Sequence, residues 1–271
     1  MGIEQFRYDG KRVLVVGGAT GMGAATAKTA AALGAEVIVM DVADISYPAK
    51  QFIKVDLRDQ ASVDAAIAQI SAPIHAVFSC AGVADGTRGL MLINFIAQRH
   101  IIESLISKKV LGRGGSVAMI SSVAGMGWES KIPTLLEFLG LPTWKAQADW
   151  IAAHEGTDTY AFSKQVMNCY VGHEAMALAK QGIRINAILP GPTNTPLAQA
   201  NANIWLAFGA EYRTEVGRGP MTAEEMGNTL LFLCSDAASG ITGVTVLVDA
   251  GHISSSITGA YNEPALQLLN A

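Results

Sequence analysis

Short runs rich in Val and Ile alternate along this 271-residue chain with longer Ala-rich runs. That is the pattern β-α-β units leave when a parallel sheet is covered by helices on both faces. Strand candidates fall at 12–17, 36–41, 51–55, 74–79, 115–121, 183–189 and 244–249, each short and nearly continuously apolar. Helix candidates at 21–33, 59–70, 88–110, 157–181 and 223–234 connect them. The expected fold is α/β: a Rossmann-type, doubly wound, seven-stranded parallel sheet with helices on both faces. No repeat, low-complexity tract or linker divides it, so residues 1–271 read as one domain. Half the residues are hydrophobic and 15% are charged, enough apolar surface for a sizeable core.

Several function classes drop out on composition. A net charge of -4 and the absence of any Lys/Arg run argue against a nucleic-acid partner, which clustered cations would have to neutralise. No apolar stretch approaches the roughly 20 residues a bilayer requires, so no membrane span is expected. Residues 1–10 carry Glu4, Arg7 and Asp9 and lack an apolar signal core, which points to a cytoplasmic location. Cys80, Cys169 and Cys234 lie far apart without a CxxC pair and read as buried free thiols. His75, His100, His154, His173 and His252 show no ligand spacing, and no metal is expected.

The first strand candidate runs straight into Gly17-Gly18-Ala19-Thr20-Gly21-Met22-Gly23 and then into a helix. Glycines there permit a tight turn and close approach of backbone to a pyrophosphate, which free N–H groups and the helix dipole stabilise. The spacing, G-x-x-x-G-x-G, departs from the general G-x-G-x-x-G fingerprint. Asp41 ends the second strand, 18 residues past Gly23, where a carboxylate can accept both ribose hydroxyls of NAD and repel a 2′-phosphate. No Arg or Lys lies in the glycine loop or directly after Asp41, so NAD rather than NADP is the expected cofactor. Asp56-Leu57 and Ser79-Cys80-Ala81-Gly82 also sit at carboxyl ends of strands, where open α/β sheets bind ligands.

Tyr160-Ala161-Phe162-Ser163-Lys164 places a phenol and an ammonium on one face of a helix. A nearby ammonium favours the phenolate, so Tyr160 can exchange a proton with an alcohol. With that pair on the page, several motifs in order along almost the whole chain resemble the short-chain dehydrogenase/reductase family. Gly17 to Gly23 is similar to its cofactor loop. Ser79-Cys80-Ala81-Gly82 is similar to its Asn-Asn-Ala-Gly segment, with both asparagines replaced. Ser121-Ser122-Val123-Ala124-Gly125 resembles the family's serine segment, and Pro190-Gly191-Pro192-Thr193-Asn194-Thr195 its Pro-Gly turn on the nicotinamide side. The resemblance implies that Tyr160 is the acid/base and that Ser122 hydrogen-bonds the substrate oxygen. It implies too that Lys164 holds the nicotinamide ribose and lowers the Tyr160 pKa, and that Asn94 positions a relay water. It also implies a homo-oligomer, a tetramer or dimer, packed through long helices such as 157–181 and through the last strand.

Ser122 and Tyr160 stand 38 residues apart, farther than in most family members, and the extra length is residues 127–156. In this the chain resembles the 3α-hydroxysteroid dehydrogenase/carbonyl reductase subgroup. Trp128, Trp144 and Trp150 lie within that segment, and Trp205, Phe208 and Tyr212 lie within 197–216. We expect a helical lid and a substrate flap on one cleft, with Trp128, Trp144, Trp150 and Trp205 lining it; the alternative is that these aromatics fill core or a subunit interface. A hydrophobic secondary alcohol or its ketone is then the expected substrate, a steroid being one candidate. Two other readings stay open. One is an NADPH-dependent ketoreductase on an acyl substrate, which would call for a basic rim; the other is an idle dinucleotide-binding sensor, which would need no acid/base set.

Overall fold

A computed structural model of the chain describes residues 2–263. Seven parallel strands form its one sheet: β1 (Arg12–Val16), β2 (Glu36–Asp41), β3 (Gln51–Lys54), β4 (Ile74–Ser79), β5 (Leu111–Ile120), β6 (Arg184–Pro190) and β7 (Thr245–Val248). They stand in the order β3-β2-β1-β4-β5-β6-β7. Alternate side chains serve two cores, because successive residues of a strand point to opposite faces. Leu14, Val16, Ile38, Met40, Val117 and Met119 enter one core, and Val13, Val15, Val37, Val39, Phe78 and Ala118 the other. Both faces are buried, which is why the strands read as continuous apolar runs.

On one face α1 (Gly21–Ala32) packs against α10 (Ala223–Cys234). The other carries α2 (Gln60–Ala68), α3 (Ala97–Ser107) and α6 (Tyr160–Lys180). Strand order reverses between β1 and β4, and their carboxyl ends open the loops 17–20 and 80–83 side by side, the place where such sheets bind ligands.

Two expected boundaries shift for visible reasons. Strand β5 begins at Leu111 rather than at 115, because Leu111 pairs with Ile74 before the register slips and pairing resumes at Ala76 with Ser116. The glycines at 112, 114 and 115 resemble a loop in sequence yet are carried inside the strand. The helix expected over 88–110 opens instead with a π-helical turn, Leu92–Ile96, before α3.

Residues 127–156 do form helices, α4 (Ile132–Leu139) and α5 (Trp144–Ala153), the first entered through a 3₁₀ turn at Trp128–Lys131. They lie on α6 and the π turn. Every residue of α6 from Phe162 to Val171 is buried. The first half of the long helix expected to pair with another subunit is therefore covered by the chain's own insertion.

Beyond the sheet, α7 (Pro196–Ala200), α8 (Ala202–Trp205) and α9 (Ala210–Glu215) follow β6, and α11 (His252–Ile257) follows β7. The apolar run from Leu266 to Leu269, considered as a frame for the site or a docking element, lies outside the described residues.

Candidate active site

The cofactor end rests on two close approaches. A Cβ on Gly17, whose φ is +82°, would lie 2.4 Å from Ala81 backbone atoms; one on Gly23 would lie 2.0 Å from the Gly17 carbonyl oxygen. Only hydrogen fits at either point, so the first turn of α1 sits down on the loop with Thr20 as its N-cap. Facing it is a cavity of about 400 Å³ that Gly17, Thr20, Gly21, Met22 and Gly23 line on one side and Asp41, Asp56 and Leu57 on another. The Asp41 carboxylate accepts hydrogen bonds from Ala19 N–H at 2.8 Å and Ala43 N–H at 2.9 Å. It thus ties the glycine loop to the turn after β2. This cradle and its carboxylate fit the pyrophosphate and ribose of a dinucleotide.

One cation in this cavity escapes a search confined to the glycine loop and the residue after Asp41. Arg58 also lines it and pairs with Asp56 at 2.7 Å, and that guanidinium holds the Asp56 carboxyl below its usual range. The only signal in the sequence is its place two residues past Asp56.

A second cavity, of about 630 Å³, shares Met22, Cys80, Ala81, Gly82 and Thr195 with the first. Ser122, Tyr160 and Lys164 line it together with Pro190, Gly191 and Thr193. Tyr160 opens α6, whose N-cap Thr159 accepts from Phe162 N–H at 3.3 Å; Lys164 stands one turn on. The Lys164 ammonium is buried, donates to the Ile120 carbonyl at 2.7 Å and lies 5.4 Å from the centre of the Tyr160 ring. Ser122 accepts from Ala124 N–H at 3.1 Å and lines the cleft beside Tyr160.

The electrostatics differ from what the resemblance implies. Burial pushes the Tyr160 phenol above its ordinary value, the Ser122 hydroxyl pulls it down, and the Asp85 carboxylate pushes it up. Burial also draws Lys164 down to about 8. Desolvation disfavours the charged form of each group, so in the protein alone Tyr160 is held as a neutral phenol rather than a phenolate.

Asn94 lies on the π turn, and its amide clamps the loop after β4: Oδ1 accepts from Val83 N–H at 2.8 Å, and Nδ2 donates to the Val83 carbonyl and to Ser163 Oγ. It lines neither cavity. Sequence reading missed its neighbour Gln98, fully buried, which donates to the Ala81, Ile93 and Asn94 carbonyls and accepts from Ser79. Where both family asparagines are absent, Ser79 and Gln98 hold the end of β4. A second amide one helical turn past Asn94 was the available signal. Burial pushes the Cys80 thiol, which borders both cavities, up to about 12.

Of the four tryptophans expected around the substrate, the structure puts Trp205 alone in the cleft, 4.9 Å from the Tyr160 ring between centres. Leu197, Ala198, Ile204 and Phe208 line the same wall, so of the stretch 197–216 the residues up to 208 border the cleft. Trp150 is instead core: it stacks on His154 at 3.9 Å, meets Phe138 and Phe162, and donates from Nε1 to Glu137. Trp144 sits edge-on to His100, and Trp128 packs against the same core. Amphipathic helices laid on α6 bury their aromatics against it rather than over the opening, so Trp128, Trp144 and Trp150 leave the pocket assignment.

Known proteins match this chain over most of its length. A family model described as short chain dehydrogenase matches residues 11–133, and one described as Enoyl-(Acyl carrier protein) reductase matches 148–252. The gap between them falls in the insertion. The chain is 30% identical over 250 residues to a 3-alpha-hydroxysteroid dehydrogenase/carbonyl reductase of Comamonas testosteroni, covering 88% of this chain and 95% of that one. It is 26% identical to a coniferyl-alcohol dehydrogenase of a Pseudomonas species, covering 91% and 98%. A cis-4-hydroxycyclohexanecarboxylate dehydrogenase of Sinomonas cyclohexanicum is 30% identical, covering 89% and 96%. Among solved structures, a 3-alpha-hydroxysteroid dehydrogenase from a Pseudomonas species complexed with NADH superimposes with a TM-score of 0.74 at 23% identity, covering 93% and 100%.

Proposed function

Since this chain belongs to the short-chain dehydrogenase family of oxidoreductases, we propose that it interconverts a hydrophobic secondary alcohol and its ketone with NAD. The observation that carries the reading is the meeting of Tyr160 and Ser122 in one cleft walled by Leu197, Ile204, Trp205 and Phe208. An idle sensor needs the dinucleotide cavity; it has no use for a phenol and a hydroxyl converging on an apolar cleft beside it.

When bound, the nicotinamide supplies the hydride acceptor or donor. Gly17, Thr20, Gly21, Met22 and Gly23 would hold the pyrophosphate, Asp41 the ribose hydroxyls, and Pro190, Gly191, Thr193 and Thr195 the nicotinamide side. In the oxidative direction the alcohol oxygen rests between Ser122 and Tyr160. Ser122 orients it by a hydrogen bond, and Tyr160 takes its proton as the phenolate, a form that Lys164 and the positive charge of bound oxidised nicotinamide would favour over the neutral phenol held in the protein alone. Lys164, anchored on Ile120, supplies positive charge close to the phenol. The apolar flap excludes water from the carbinol. Asn94 works at one remove, by fixing the loop at Val83. A carboxylate at Asp41, engaged with the glycine loop, favours NAD over a 2′-phosphorylated dinucleotide.

A cytoplasmic homo-oligomer completes the proposal. Half-buried edge strand β7 and the second half of α6, where Met176 is exposed, are the surfaces left for a second copy. Among the described residues no helix is long and apolar enough to cross a membrane.

The test follows nicotinamide absorbance while the protein meets either dinucleotide, oxidised or reduced, and a panel of cyclic, aromatic and short-chain secondary alcohols and carrier-bound ketoacyl groups. Turnover with NAD and a bulky apolar alcohol is expected; a preference for NADP and carrier-bound acyl substrates would establish the ketoreductase alternative instead.

A further inference from the structure

The wall of the substrate cleft carries one feature that proton exchange with an alcohol leaves unexplained. Asp85, in the turn after the loop that follows β4, lines the cleft among Val123, Ala161, Trp205 and Phe208. Its Oδ1 accepts from Tyr160 N–H at 2.6 Å. The carboxylate is exposed, whereas Lys164, the other charged residue of this lining, is buried and tied to Ile120. No hydrogen bond engages Oδ2 among the described residues.

Capping accounts for one oxygen of this carboxylate, Oδ1 on the Tyr160 N–H, and leaves the other open to the cleft. Helix α6 already has its N-cap in Thr159, whose side chain accepts from Phe162 N–H. A serine or asparagine at position 85 would accept from Tyr160 N–H as well, without putting a negative charge in an apolar cleft. That charge also works against the nearby phenol, since it favours the neutral form. The fold uses one oxygen of this carboxylate, and the second, open among the residues that line the cleft, is placed to meet what binds there. The carboxylate holds the backbone end of Tyr160, and the reacting hydroxyl stands at the far end of that side chain in the same cleft. A six-membered ring with substituents at opposite ends spans a similar length.

We propose that Asp85 is a specificity-determining residue that selects apolar ring alcohols or ketones carrying a hydrogen-bond donor, a hydroxyl or ammonium, at the end remote from the carbinol, and rejects those carrying a carboxylate there. This rests on reading the cleft as an alcohol site. The carbinol lies at Tyr160 and Ser122, the ring against Trp205, and the remote donor reaches Oδ2. A remote carboxylate meets like charge at the same point. With partial exposure to solvent, the difference between cation and anion amounts to about tenfold or more in affinity.

The experiment compares 4-aminocyclohexanol, 1,4-cyclohexanediol and 4-hydroxycyclohexanecarboxylate with the full chain saturated with NAD. Both kcat/KM and calorimetric Kd are measured for the wild type, Asp85→Asn and Asp85→Ser. The two variants keep an acceptor for Tyr160 N–H, and thermal melting checks that they fold. The wild type is expected to favour the amine over the carboxylate by about tenfold or more in both quantities, with the diol between them, and the ratio should fall to within roughly twofold in both variants. An amine-to-carboxylate ratio that is the same in wild type and variants, or a wild-type preference for the carboxylate, overturns the role of Asp85. Charge-selective binding that depends on Asp85 without turnover of any alcohol overturns the catalytic reading and sustains the recognition; absence of binding by all three compounds overturns both.

Discussion

Replacing Gly23 with alanine puts the dinucleotide cradle under direct strain. The new Cβ would sit 2.0 Å from the Gly17 carbonyl oxygen, 2.9 Å from its carbon and 3.1 Å from Cys80 Cβ, whereas ordinary contact begins at 3.4 Å. Something must move by up to 1.4 Å, the difference between the first and last of those distances. The loop cannot retreat, because Gly17 N–H is bonded to the Met40 carbonyl at 2.8 Å and Gly17 already abuts Ala81. Helix α1 must therefore lift. Overpacking of this kind costs about 1–3 kcal/mol, and contact between backbone atoms on both sides puts it at the upper end. For a chain of this size that lowers Tm by roughly 4–8 °C. Function suffers more, because a binding constellation tolerates only about 0.5 Å of misplacement, so NADH affinity should fall by well over about tenfold. Gly172→Ala is the matched control. Gly172 lies in α6 with nothing within 4 Å of its added Cβ, and the change should stabilise by about 0.5–1 kcal/mol. Fluorescence titration with NADH and thermal melting read both variants. Gly23→Ala with wild-type affinity and an unchanged Tm would refute the close-approach argument.

Asp41→Ser removes the carboxylate that braces Ala19 and Ala43, and it should weaken NADH binding about tenfold while narrowing the NAD-to-NADP ratio of kcat/KM; an unchanged ratio would clear Asp41 of cofactor selection. Trp150→Phe loses the bond to Glu137 and part of the stack on His154, so it should cost about 1–2 kcal/mol in denaturant unfolding with kcat/KM unaltered. Trp205→Ala should instead raise KM for bulky alcohols with little change in stability. Alkaline pH should destabilise the fold partly through Cys234, whose thiol burial pushes up to about 11 from 9.0. Between those values the folded thiol keeps a proton that the unfolded one gives up, so the contribution is complete below pH 9 and is lost as pH climbs toward 11. Lys164, drawn down to about 8, acts in the opposite sense in both proteins, so the shallower alkaline fall of Tm expected for Cys234→Ala isolates the thiol.

The sheet was legible because its strands are buried on both faces. Continuous Val/Ile runs located six of the seven strands to within a residue or so, and β5 alone extended upstream through glycines whose pairing with β4 is tertiary. The glycine loop, Asp41 and the Tyr160–Lys164 spacing were legible because backbone chemistry and helix periodicity are local. Partner choice across the fold was not. Trp150 carries no mark distinguishing a wall of the cleft from the core under α6, and its role depends on where α5 docks. Asn94 reads as a polar residue in need of a partner, yet only the folded loop reveals that the partner is Val83. Gln98, Arg58 and Asp85 acquire their roles from neighbours 17 residues, two residues and 75 residues away respectively, and only the middle spacing is visible on reading the chain.

The central claim is that the Tyr160 hydroxyl exchanges the proton of an alcohol. Tyr160→Phe keeps the ring against Trp205 and removes one oxygen. Single-turnover formation of reduced nicotinamide by the NAD-saturated variant, with an alcohol the wild type oxidises, is the decisive measurement. The account predicts a rate lower by about 10² to 10⁴, with NADH binding intact. A variant that oxidises the alcohol within about tenfold of the wild-type rate would contradict it.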